Sequence, residues 1–173
     1  CSSELDDNGS ASGSAYIYRF DGSDWNFETK LLADDGAGYE YFGYSVSISE
    51  GTLVVGARYD DDDDNGYDSG SAYIYRFDGS DWIETKLTAS DGASNDYFGY
   101  SVSISGDTVV VGAYRDDDNG SESGSAYIYR FDGTSGMERV RKAREGRWTH
   151  SSGKQDSTSR YTVAVVANPS AEH

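Results

Sequence analysis

The sequence predicts an all-β fold of antiparallel four-stranded blades, about two and a half of them. Three observations carry this prediction. A stretch of about 55 residues recurs: GSAYIYRFDG stands at 13–22, 70–79 and 124–133, and YFGYSVSIS at 41–49 and 97–105. Within each copy the side chains alternate with period two, as strands require: Tyr73, Tyr75 and Phe77 point one way, Ala72, Ile74 and Arg76 the other. Finally, 15 Tyr together with Val, Ile and Thr favour strands, while a single Pro leaves the turns to Gly, Asn and Asp.

Each element follows in order. YSVSIS reads as a strand that runs into a two-residue turn, Glu50-Gly51 or Gly106-Asp107, and then into TLVVGA or TVVVGA. That is a hairpin signal. An acidic loop comes next, densest at Asp60–Gly70 (DDDDDNGYDSG), then SAYIYRF, a DGSD turn and WIETKLTA. A Gly- and Asp-rich connector leads to the next copy. Four short strands per repeat suit a propeller blade. The count is nine strands, with residues 1–133 forming the repeats: a half-repeat at 1–37 and repeats at 38–93 and 94–133. A blade cannot bury both faces alone, so the chain is either a fragment of a longer propeller or an assembling unit. Starting mid-blade fits a fragment or a strand-exchange closure.

The match stops at Thr134, and residues 134–173 read as a divergent basic tail. Residues 1–133 hold 27 Asp/Glu and 7 Lys/Arg, the tail 4 and 7. Met137–Trp148 (MERVRKAREGRW) reads as a short basic helix weakened by Gly146, and Tyr161–Ala167 as a strand. The basic cluster is expected either to dock on the acidic repeats or to be a partly disordered terminus.

The net charge of −17 argues against nucleic acid and anionic membranes as partners. The sequence has no apolar run of transmembrane length. Cys1, the only cysteine, allows no internal disulfide. Cys1-Ser2-Ser3 is like the start of a mature lipoprotein, but it also aligns with a strand end at Arg58, which suits truncation.

FGYSVSISGDTVVVGAY now resembles the FG-GAP repeat of integrin-α-like β-propellers, through Phe98-Gly99 with Gly112-Ala113, and Phe42-Gly43 with Gly56-Ala57. Tyr114 stands where that family usually has Pro. The resemblance covers about Asp6 to Gly133. It implies a propeller, usually seven-bladed, extracellular or on a cell surface, often calcium-bearing and engaged in adhesion or ligand binding. In the family a D-x-D-x-D-G-x-x-D loop joins the first two blade strands. Here Ser105–Thr108 or Ser49–Thr52 stands there, so that calcium loop is not carried over.

The acidic loop one connection later is a different calcium candidate, with Asp61, Asp63, Asn65 and Ser69 as ligands, and Asp117 and Asn119 in the next copy. The leading copy offers Glu4, Asp6, Asn8 and Ser12. Oxygen ligands around a Gly turn suit a hard cation. Arg115 takes the first ligand position in the last copy, and the twelfth position in repeat two is Ala72, not Glu. The alternative is a strand-connecting turn whose acids keep an edge soluble. Asn8 and Asn119 also head N-x-S sequons.

Nothing points to catalysis. His150 and His173 lie in the tail without ligand spacing, and no nucleotide-binding or nucleophile motif appears. Tyr41, Phe42 and Tyr44, repeated as Tyr97, Phe98 and Tyr100, either line a sugar- or peptide-binding face or pack between blades; Trp25 and Trp82 are expected to pack likewise. The expected function is a non-catalytic extracellular or surface module for adhesion or recognition of a protein or glycan, with bound calcium as an option. One alternative is a structural protein that self-assembles through blade edges, as homo-oligomer or with further blades. Another is an accessory domain of a carbohydrate-active enzyme.

Overall fold

The computed structural model describes residues 7–118 and 120–131, together with the backbone of Met137–Arg144. Ten strands form three antiparallel sheets. β1 (Ala15–Phe20) and β2 (Trp25–Leu31) make a half-blade. β3 (Ser45–Ser49), β4 (Thr52–Ala57), β5 (Ser71–Phe77) and β6 (Trp82–Leu87) make a full blade in sequence order. β7 (Phe98–Ser105), β8 (Thr108–Ala113), β9 (Ser125–Phe131) and β10 (Met137–Arg144) make a second. The two and a half blades of the sequence are present.

β10 corrects two expectations: the strand count among the described residues is ten, and Met137–Arg144 is a strand where a basic helix was expected. The reason lies outside the segment. β9 has an open edge, and its backbone groups are satisfied by pairing, with Met137 opposite Phe131 and Arg144 opposite Ser125. The register also relates β10 to the earlier copies. The β1–β2 ladder passes over Glu28, the fourth residue of WNFETKL, and the β9–β10 ladder passes over Val140, the fourth of MERVRKA. Lys30, Lys86 and Lys142 then stand opposite Tyr16, Tyr73 and Tyr127. The segment is thus a diverged fourth strand of its blade.

Two cores lie between the blades. Ala15, Ile17 and Leu31 of the half-blade meet Leu53, Val55, Tyr73 and Tyr75 of the first full blade. That blade's other face, Val54, Ala72 and Ile74, meets Phe98, Val109, Val111, Tyr127 and Tyr129 of the second. The FG phenylalanines Phe42 and Phe98 are buried here, each edge-on to two tyrosines.

The motif glycines are fixed by backbone contact. Gly99 has φ +84, and a Cβ there would overlap the Ser71 carbonyl oxygen; a Cβ on Gly56 would overlap the Gly99 carbonyl oxygen. The FG of one repeat therefore seats directly on the GA of the one before. The alternating serines of YSVSIS join the inner strands: Ser45 Oγ donates to Gly99 O (2.8 Å), while Ser47 Oγ and Ser49 Oγ accept from Ile104 N and Gly106 N (3.1 and 3.3 Å).

Candidate functional site

The acidic loops leave the ends of β4 and β8 and form a rim at the blade junctions. Asp60, the first acid of the run, turns inward. It is 1% exposed and accepts from Ser71 Oγ (2.6 Å). The Tyr73 hydroxyl sits between Asp60 (3.0 Å) and Asp35 (2.9 Å). Lys86 Nζ pairs with both, at 2.8 and 2.6 Å. Burial opposes the charge on Lys86, but Asp35 and Asp60 outweigh it and raise the ammonium pKa. Asp35 belongs to the connector from the half-blade, so this network ties one blade to the next. It recurs one repeat later, where the Tyr127 hydroxyl lies between Asp116 (2.7 Å) and Asp91 (3.1 Å).

The connector contributes a further acid. Glu40 is 8% exposed and accepts from Ala37 N (2.6 Å), as Asp96 accepts from Ala93 N (2.8 Å). Burial, the largest influence, pushes the Glu40 carboxyl up to about 7; the Ala37 N–H opposes this, and the charges of Asp60 and Asp35 add to it.

The six calcium candidates are placed as follows. Asp61 Oδ1 accepts from Asp68 N (2.7 Å). Asp63 and Asp117 are exposed. Asn65 donates from Nδ2 to Ala89 O of the following connector (2.9 Å), and Asn8 does the same to Ala33 O (3.2 Å). Ser69 is buried, its Oγ without a hydrogen-bond partner. Asn119 lies outside the described residues, as do Glu4, Asp6, Cys1, both histidines and the 161–167 segment. Among the described residues no three or more His, Cys, Asp or Glu side chains gather as a metal site. The persistence of Asn-Gly across the copies has another cause. The Asn ties the loop to the connector, and at Gly66 (φ +93) a Cβ would overlap Ser94 Oγ. The sequon at Asn8 uses the same amide nitrogen that bonds Ala33, so a glycan there would remove that contact.

Beside the acidic loops the rim carries an unbroken set of tyrosines and two arginines. Tyr41 meets Tyr59 (centroids 5.4 Å), Tyr59 meets Tyr97 (5.1 Å), Tyr97 stacks on Tyr114 (5.6 Å, 14°), Tyr114 lies on Tyr100 (4.4 Å), and Tyr100 meets Tyr44 (5.3 Å). The Arg58 guanidinium sits 4.0 Å from the Tyr44 centroid and 4.3 Å from that of Tyr59. Arg115 sits 5.2 Å from Tyr97 and 5.6 Å from Tyr114. The two blades swap order after Gly-Ala: Arg58-Tyr59 in one, Tyr114-Arg115 in the next. Arginine and tyrosine thus alternate over the same two seats. The repeated tyrosines divide by position. Phe42 and Phe98 are core, and Tyr97 is buried, whereas Tyr44 is 39% exposed. Trp82 packs against the core and donates to Glu28 (3.2 Å), while Trp25 is 70% exposed, since no blade covers its face. Sequence reading missed the Arg58–Arg115 swap as a site; the exchanged dipeptides were its only signal.

Antiparallel four-stranded blades, inter-blade cores and a loop rim define a β-propeller-type repeat protein. The FG-GAP repeat family matches residues 25–75 and 82–129, more than half of the chain, and the protein belongs to that family. Among curated proteins none matches it.

Proposed function

We propose that this protein is a non-catalytic recognition module of an extracellular or cell-surface propeller, serving adhesion or ligand binding. The observation that carries this is the rim of six tyrosines and two arginines at the blade junction, an amphipathic surface of the kind enriched at binding interfaces. The non-catalytic part is supported by Glu40, the carboxyl raised to about 7, which is spent on a turn amide, and by Asp61 and Asp60, which engage a loop amide and the blade network. Among the described residues no helix is long and apolar enough to cross a membrane. The test is binding of immobilised protein to a panel of glycans and matrix proteins. Retention of a ligand by the wild type and its loss in Tyr44→Ala/Tyr100→Ala supports the proposal; equal retention by both defeats it. Calcium is a separable part. A cation drawing on Asp61, Asp63 and Asn65 would use the oxygens that the Asp68 amide and the Ala89 carbonyl leave over, Asp61 Oδ2 and Asn65 Oδ1, and a melt in calcium is then expected to lie above one in chelator.

A second reading, self-assembly, is favoured by the half-blade. Tyr18 is 52% exposed although its counterpart Tyr75 is 2% exposed.

A further inference from the structure

Arg58 has five N–H donors in one plane. Two ring faces, Tyr44 and Tyr59, cover it, and a ring face offers no in-plane acceptor. Among the described residues Arg58 makes no hydrogen bond or ion pair, and its Nε is shut off from solvent. The buried Nε is beyond the reach of an outside ligand, but the Nη groups are not shut off and have no carboxylate, so they are the donors an outside acceptor can meet. The neighbouring repeat is an internal control. There the arginine stands one residue later; its Nε is likewise buried without a hydrogen bond, but Arg115 has a carboxylate, Glu122, at 3.5 Å, and Arg58 has none among the described residues. The seat on Tyr100 is filled instead by the neutral Tyr114. Asp68 is close enough for Arg58 to act on its carboxyl, yet the two do not pair.

We propose that Arg58, framed by Tyr44, Tyr59 and Tyr100, binds the carboxylate of an acidic saccharide, a hexuronate residue. This rests on the recognition function proposed above and names its ligand class. The planar fork of an arginine matches a carboxylate with two parallel bonds. Tyr44, 39% exposed, with Tyr100 at 5.3 Å, supplies flat apolar surface for the C–H face of a pyranose ring. The acidic surroundings make the site selective: a net charge of −17 repels densely charged polyanions, whereas an isolated carboxylate meets Arg58 at short range.

The test is titration of the full chain with sodium glucuronate, sodium acetate and glucose at 0.15 M salt, followed by calorimetry or amide chemical shifts. Glucuronate is expected to bind at least about tenfold more tightly than either control, the scale of one charge-assisted pair. Arg58→Gln is expected to lose about that factor, and Arg115→Gln to keep it. Arg58→Lys keeps the charge without the fork and is expected to fall between; it serves if the Gln variant does not fold. Absence of saturable glucuronate binding, equal affinity for acetate, or unchanged affinity in Arg58→Gln and Arg58→Lys overturns the proposal. A glycan or protein that wild type and Arg58→Gln retain equally would overturn this site while leaving the recognition function standing.

Discussion

Glu40 and Asp60 are both buried acids, but they bear on stability differently. Asp60 is compensated by Lys86, Ser71 and Tyr73. Glu40 has one backbone donor and faces two like charges, which with burial lift it to about 7. A carboxyl raised in the fold stabilises while protonated: its contribution is full below the unfolded value near 4.5 and is lost as pH rises through about 7. The ionised form is therefore a liability above neutrality. A shift of this size carries about 3 kcal/mol, and solvent at the rim reduces it to about 1–2 kcal/mol. Glu40→Gln keeps an acceptor for Ala37 N without the charge. It is expected to melt several degrees above wild type at pH 8, with the gap closing by pH 5. Parallel melts across that range check it, and a gap that does not change with pH refutes the role of ionisation. These residue-level facts were only partly legible in the sequence. The recurrence of Asn-Gly marked a shared turn, but its partners, Ala33 and Ala89, lie more than 20 residues away. No local pattern announces a carbonyl at that distance.

At the scale of elements, β1 to β9 were readable because the copies repeat one period-two pattern and the turns between them are short. β10 was not, because Met137–Arg144 has lost the WIETKL residues and is rich in good helix formers. The demand for a strand comes from the open edge of β9, and tertiary pairing overrides propensity. Its retained features are the skipped fourth residue and Lys142 opposite Tyr127. The skipped residue is shared with β2 and the Lys–Tyr pair with both β2 and β6, which supports descent from the same fourth strand. If β10 completes the blade, a chain ending at Gly133 leaves the β9 edge unpaired and opens one flank of the Tyr127–Tyr129 core. That truncation is expected to lower the melting temperature by more than about 5 °C, the effect of roughly 1.5–2 kcal/mol in a chain of this size, and to increase aggregation. A truncated chain that melts with the full one would show that the strand contributes nothing.

At the scale of the molecule, the repeats expose what a blade face looks like with and without a neighbour. In the middle blade Val54, Ala72 and Ile74 are buried on one face, and Tyr73 and Tyr75 on the other. In the last blade the counterparts of the first set, Val110, Ala126 and Ile128, are only half-buried. In the half-blade the counterpart of Tyr75 is open, and Tyr18, Phe20, Trp25 and Phe27 form an exposed aromatic patch. Val46 and Ile48 of β3 are also exposed, where Ile104 of β7 is covered by β3. The two end faces thus carry the same complementary sets that meet inside the molecule. A second copy placing its last blade on this aromatic patch would repeat the internal contact head to tail, a heterologous arrangement that grows unless it closes into a ring. Patches of this kind mark interaction surfaces. The chain alone, 18.8 kDa, is therefore expected to gain mass with concentration in light scattering. Tyr18→Lys/Phe27→Lys is expected to hold it at the monomer mass with little change in melting temperature, since both side chains are largely exposed. A wild-type mass that stays constant over the concentration range would reject self-docking, and the aromatic face would then be matched to a blade from elsewhere rather than to a second copy.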